Sequence, residues 1–228
     1  MIYPYIDHPQ LLLPNGVIDG SNGESKAGQA VLIDKGVIAQ VGETELVRKV
    51  SPHDTITVDL AGATLCPGLI DGHTHLSLSG DGRNYDEMFS ETDEMMVMTG
   101  AMNMMRHLQA GITTIREHGA RNRVGFALKE GLQRGYIPGP RMQVSGRPIT
   151  CTGGHFWVCN EEADGEEEIR KSVRRLVHDG ADYIKIMASG GVASPTDPIA
   201  NLQFSETEIR AVVEEAEFWG RYVMAHAY

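Results

Sequence analysis

The stretch Pro67-Gly68-Leu69-Ile70-Asp71-Gly72-His73-Thr74-His75 decides how the chain is read. It is a turn, a short apolar run, and then two histidines one residue apart. In an extended strand successive side chains point to opposite faces, so His73 and His75 share a face. Two imidazoles aimed the same way from one rigid strand form half of a divalent-metal site. Their neutral nitrogens suit zinc and similar transition metals. The same pair is compatible with two unrelated polar residues at a strand end, so further ligands have to come from the ends of later strands.

Downstream, strands and helices alternate. Met98, Ala101, Met105 and Leu108 recur at helical spacing, and Gly111 follows as a stop. Six of the chain's 11 methionines fall between Met95 and Met105, which reads as a core-facing helix. Ile112 to Arg116 is a strand, followed by Glu117 and His118; a helix over 123–134 ends at Gly135; a strand lies over 141–146. The next helix carries Glu166, Glu167 and Glu168 in its first turn and Arg170, Lys171, Arg174 and Arg175 later, which complements the helix dipole. Strands over 183–187 and 221–226 flank a helix that Ser205 and Glu208 open as a capping box.

Strict β-α alternation calls for a parallel sheet. Polar residues gathered where strands end make a TIM-type barrel the first choice, with a doubly wound sheet as the alternative. A full barrel takes about 250 residues and eight strands, whereas the roughly 160 residues from Pro67 supply five β/α units. The barrel portion, 67–228, therefore reads as incomplete, an N-terminal fragment.

Upstream, residues 1–66 read as short strands and turns, a small β-sandwich portion. Asp34-Lys35-Gly36 between two apolar runs signals a hairpin, and Thr55 to Val58 alternates like a strand.

The totals exclude several classes of function. A net charge of −11 over 228 residues argues against nucleic acid or an anionic membrane as partner. Hydrophobic content of 41% and charged content of 22% are those of an ordinary globular protein. The 3 cysteines, Cys66, Cys151 and Cys159, are widely spaced and lack a C-x-x-C, which suggests a reducing compartment. With no secretion signal and no long apolar run, the cytoplasm is the expected location, and a homo-oligomer is left open.

The strand ends carry the chemistry. Lys185 is a charged residue inside an otherwise apolar strand. Held inside a barrel it would have a depressed pKa, because desolvation disfavours its charge. A neutral amine can react with carbon dioxide to give a carbamate, whose two oxygens can bridge two metals. The competing reading is a lysine snorkelling out or paired with a carboxylate. His226 ends the strand after it, at the same end as His73 and His75.

These residues, with the lead-in Asp59 to Leu76 and the T-T-I-R-E, T-G-G-H, Y-I-K-I and A-H-A-Y strings, give the chain a resemblance to the amidohydrolase superfamily. Within it, the chain is similar to the imidazolonepropionase-like branch that includes metal-dependent Xaa-Pro dipeptidases. The resemblance implies that His73 and His75 bind one metal, that carboxylated Lys185 bridges two zinc ions, and that His226 belongs to the second. It also implies a strand-six histidine and a strand-eight aspartate, neither of which this chain contains. By the same resemblance His155, in the turn after the third barrel strand, contacts substrate, and Tyr228 hydrogen-bonds substrate or the tetrahedral intermediate. Arg116 and Glu117 are read as a structural ion pair near the barrel mouth.

The expected activity is metal-dependent hydrolysis of a C–N bond in a small substrate by a metal-activated hydroxide, an Xaa-Pro-type or other dipeptide being the best guess. A cyclic amide of the imidazolone propionate kind is the alternative substrate. A truncated, non-catalytic metal-binding fragment is the alternative from another class.

Overall fold

The computed structural model describes residues 8–81, 90–159, 161–192 and 197–228. The chain divides into two compact units, Met1–Gly68 and Leu69–Tyr228.

The first unit holds β1 (Gln10–Val17), β2 (Gln29–Asp34), β3 (Val37–Glu43), α1 (Thr44–Val50) and β4 (Ile56–Leu65). The four strands make one sheet in the order β3-β2-β1-β4. The β2–β3 turn is the hairpin expected at Lys35-Gly36. Both residues take positive φ, 50° and 76°, the backbone of a two-residue turn whose twist matches its strands. Val47 of α1 closes a small core with Leu11, Ala30 and Leu32. Among the described residues of this unit the strands form this single sheet.

The second unit alternates as the apolar pattern requires: β5 (Leu69–Thr74), α2 (Asp93–Gln109), β6 (Ile112–Glu117), α3 (Val124–Gln133), β7 (Arg141–Val144), α4 (Gly165–Asp179), β8 (Ile184–Met187), α5 (Glu206–Phe218) and β9 (Val223–His226). All the strand pairs are parallel. They follow sequence order as β5-β6-β7 and β8-β9, and a parallel bridge between Ile149 and Ile186 joins the two sets. A doubly wound sheet reverses its strand order at a switch point; this order never reverses, so the strands form an arc of a (β/α) barrel.

Local chemistry sets the helix ends. Thr92 caps α2 by accepting from the Met95 amide at 3.3 Å. The capping box of α5 is present in both directions, between Ser205 and the amide and side chain of Glu208. Gly180 ends α4 at φ 103°, in the left-handed region. The helices bury one stripe each against the strands, with Ile169, Val173 and Leu176 of α4 and Val212 and Ala216 of α5 fully enclosed beside Ile115, Val144 and Ile184. No helix among the described residues is long and apolar enough to cross a membrane.

Two expectations are corrected here. The buried face of α2 is Met96, Gly100, Asn103 and Met104, while Met98 is exposed. Asn103 accounts for the difference. Its amide donates to the Leu76 and Leu78 carbonyls at 2.9 and 2.8 Å, so a polar residue occupies the inner face. Gly100 lies on the same face, where an added Cβ would sit 2.4 Å from Leu128.

Arg116 and Glu117 form no ion pair. As neighbours on β6 they point to opposite faces. Arg116 lies against Gly72 and donates towards the Met224 sulfur at 3.5 Å. Glu117 faces the helix layer, beside Gly125 and fully buried.

Candidate active site

Five barrel strands deliver polar side chains to their C-terminal ends, as the fold class prescribes. His73, His75, His155, Lys185 and His226 line one cavity of about 140 Å³, together with Phe156, Met187 and Val192. The residues singled out from the sequence are thus brought together, with one exception. Tyr228 is 70% exposed and does not line the cavity; its ring meets His226 edge-on at 5.4 Å, and its backbone N–H donates to Ser189 Oγ.

His73 and His75 present their rings 5.5 Å apart, tilted by 54°. His75 is oriented by its backbone surroundings. Its Nδ1 lies 3.2 Å from the Gly119 carbonyl oxygen. A carbonyl only accepts, so Nδ1 carries the proton and Nε2 keeps the lone pair a metal needs. Burial holds the His75 imidazole down at about 4, and burial likewise lowers His73, so both rings are neutral near pH 7.

Opposite stands the pair His155 and His226, stacked with centroids 4.4 Å apart. His226 donates from Nε2 to the Gly190 carbonyl at 3.0 Å, which leaves Nδ1 as its lone pair. His155 is only 7% exposed, and its Nδ1 has no hydrogen-bond partner among the described residues. Gln203 fixes the backbone beneath it: its amide oxygen accepts from the His155 N–H and the Thr150 hydroxyl, and its NH₂ donates to Asp197.

Lys185 sits on β8, where Ile184, Ile186 and Met187 are also buried. Parallel barrel strands bury both faces, and here the inner face carries Lys185 and Met187. Burial alone pushes the Lys185 ammonium down to about 8, and its side chain is 1% exposed. Among the described residues no carboxylate pairs with it, and a buried lysine so placed is costly.

Two further neighbours stand close by: His118, to which the sequence assigns no role, and Glu117, which the sequence reading paired with Arg116. The His118 ring lies 4.2 Å from that of His73, tilted by 35°, and is fully buried. It donates from Nε2 to the Gly72 carbonyl at 2.7 Å, burial holds it down at about 3, and its Nδ1 has no partner among the described residues. Glu117 is fully enclosed, and burial pushes its carboxyl up to about 8. Their signal was the register: Thr74 pairs with Glu117, so whatever follows strand β6 lies beside the two histidines that end β5.

The donor chemistry fits a divalent, borderline-soft ion: several imidazoles, those of His75 and His226 each with one ring nitrogen engaged by a carbonyl, and a buried amine. Among the described residues, no group of three or more His, Cys, Asp or Glu is close enough to hold an ion by itself. The imidazoles stand instead as two pairs, His73 with His75 and His155 with His226.

Comparison with known proteins identifies the family. The family model described as "Amidohydrolase family" matches residues 64–228. Ochratoxinase of Aspergillus niger is 31% identical over 244 residues, which cover 93% of this chain and 49% of that protein. A solved prolidase with N-methylphosphonate-L-proline bound shares 35% identity at a TM-score of 0.84, over 96% of this chain and 56% of its own. A solved Xaa-Pro dipeptidase with methionine in its active site shares 28% identity at a TM-score of 0.84, over 96% of this chain and 56% of its own. The chain spans about half the length of the relatives it matches. With a family model matched over residues 64–228 and a strand order to suit it, the chain belongs to the amidohydrolase family.

Proposed function

We propose that this chain contributes the first part of the active site of a metal-dependent hydrolase that cleaves a C–N bond in a small, dipeptide-like substrate. The observation that carries the reading is Lys185: a lysine 1% exposed, with its ammonium pushed down to about 8, facing a cavity ringed by histidines. The amine is poised to take up carbon dioxide and become a carbamate. In this reading His73 and His75 would hold one ion, His226 would serve a second and a carbamate on Lys185 would contribute to both, zinc being the ion the donors suit. A metal pair so held supplies an activated water and polarises the scissile carbonyl.

The protein's own groups do the rest. His155, whose buried Nδ1 has no partner among the described residues, has hydrogen-bonding capacity to spend on a substrate carbonyl or carboxylate. Tyr228, beside His226, offers a phenolic O–H at the open side of the site. Phe156, 5.1 Å from the His75 ring, and Met187 supply apolar walls to the cavity. The likeness to a prolidase and an Xaa-Pro dipeptidase supports an Xaa-Pro or similar dipeptide as substrate. A match to the imidazolonepropionase of Halobacterium salinarum, 28% identical over 130 residues, supports a cyclic amide as the second reading. Cys66, Cys151 and Cys159 are all free thiols, which supports a reducing, cytoplasmic setting.

The test is made on the whole protein that contains this chain. Metal content and turnover of Xaa-Pro dipeptides, N-acyl amino acids and imidazolone propionate are measured after loading with zinc, with and without bicarbonate. Bicarbonate-dependent metal uptake with dipeptide turnover is expected. Full metal content and rate in Lys185→Ala would sink the reading.

A further inference from the structure

We propose that Glu117 is a positioning residue for the metal site: acting through the Gly119 peptides, it fixes the tautomer and orientation of His75. The proposal deepens the metal-site reading above and rests on it for its functional meaning.

The geometry is a short relay. Glu117 Oε1 accepts from the Gly119 N–H at 3.2 Å, and the Gly119 carbonyl accepts from His75 Nδ1 at 3.2 Å. The Ala120 N–H, on the same peptide as that carbonyl, donates to the Gly146 carbonyl at 3.1 Å. The turn is thereby pinned on both sides. Its backbone admits only glycine, because Gly119 has φ +132° and an added Cβ would sit 2.2 Å from Pro148.

Glu117 cannot reach the cavity itself. Strand alternation sends its side chain to the helix side of β6, where Oε2 lies 3.0 Å from the position of a Cβ on Gly125. The carboxyl is 0% exposed, and Oε2 has no hydrogen-bond partner among the described residues. A group so expensive to enclose calls for a reason beyond packing, and its one engaged oxygen leads through a single turn to an imidazole of the proposed site. Burial keeps the group in its neutral form near pH 7, so what it supplies is an acceptor rather than a charge. An amide of the same shape can do the same work; a hydrocarbon cannot.

The experiment compares wild type, Glu117→Gln and Glu117→Leu in the full chain, metal-free and labelled with ¹⁵N-histidine. Two-bond proton–nitrogen correlations report which ring nitrogen of His75 is protonated, with His75→Asn identifying the signal, and chelator competition then gives zinc affinity. Wild type and Glu117→Gln are expected to carry the His75 proton on Nδ1 and to bind zinc equally. A folded Glu117→Leu variant is expected to show mixed tautomers and zinc binding weaker by about tenfold or more.

A His75 proton on Nε2 in wild type overturns the proposal. So does a folded Glu117→Leu protein with unchanged tautomer and affinity. If Glu117→Leu does not fold, wild type and Glu117→Gln decide: Nδ1–H in both supports the relay, and Nε2–H in either overturns it. A wild type that binds no zinc removes the metal-site reading, while the metal-free tautomer comparison still decides whether Glu117 positions His75.

Discussion

His155 and His226 stack with centroids 4.4 Å apart and planes 23° from parallel, and the backbone after β8 sets both. An added Cβ on Gly191 would sit 2.3 Å from His155 Cε1, and the Gly190 carbonyl accepts from His226 Nε2. Gly191→Ala should therefore push His155 off its seat while leaving the distant α4–α5 core untouched. The expected outcome in the whole enzyme is a loss of kcat/KM by ten- to a hundredfold, with little change in Tm. Steady-state kinetics and a thermal melt check it; wild-type kinetics would show that the stack has no part in the site.

Lys185 separates stability from activity. Its displacement to about 8 reflects an ionisation penalty of about 3 kcal/mol at most. Lys185→Met fills the same space without a charge to desolvate. The variant should melt at a higher temperature than the metal-free wild type, by the equivalent of about 1–2 kcal/mol, and be inactive. A lower melting temperature would mean that the ammonium has a favourable partner.

Glu117 gives a pH test with a definite sign. Its carboxyl is raised from 4.5 in the unfolded chain to about 8 in the fold, so the folded state binds the extra proton between those values. Stability from this group is fully present below about 4.5 and is lost as pH rises through about 8. Cys159 and the Tyr183 phenol face the same group, and burial and the Glu117 charge raise both, so neither ionises within that window to mask the effect. Urea titrations of wild type and Glu117→Gln from pH 5 to 9 should diverge, with the variant gaining relative stability as pH rises. Parallel curves would refute the neutral-acid assignment.

The largest structural penalty is expected at Glu161, 3% exposed, which accepts from Arg147 at 2.7 Å and Arg175 at 2.9 Å. Arg147 also reaches Asp179 at 2.8 Å, tying the loop after β7 to the end of α4. Glu161→Ala leaves the Arg147 guanidinium, 11% exposed, with one carboxylate instead of two. A loss of about 3–5 kcal/mol in unfolding free energy is expected from chemical denaturation. A loss under 1 kcal/mol would show that Asp179 compensates.

The barrel strands and Lys185 were legible because a parallel strand buried on both faces leaves a charged residue conspicuous in an apolar run. His73, His75 and His226 were legible because they end strands, where a barrel gathers its chemistry. Glu117 and His118 were not. Their part depends on strand register, on a turn that only Gly119 can make, and on which side of β6 each residue faces. The inner face of α2 was misread for a different reason: methionines lie on both sides of that helix, and the residue that breaks the tie is Asn103. Its two hydrogen bonds to the Leu76 and Leu78 carbonyls leave no trace in apolar periodicity.

That helix also carries a built-in record of oxidative exposure. Met95, Met98 and Met102 are 53%, 66% and 44% exposed, whereas Met96 and Met104 are at 0%. Dilute peroxide should turn the first three into sulfoxides while the fold persists, since a polar sulfoxide is at home in water. The two inner sulfurs react only when the helix leaves the strands. Peptide mapping by mass spectrometry would then read, from the ratio of inner to outer sulfoxide, the fraction of molecules that have opened.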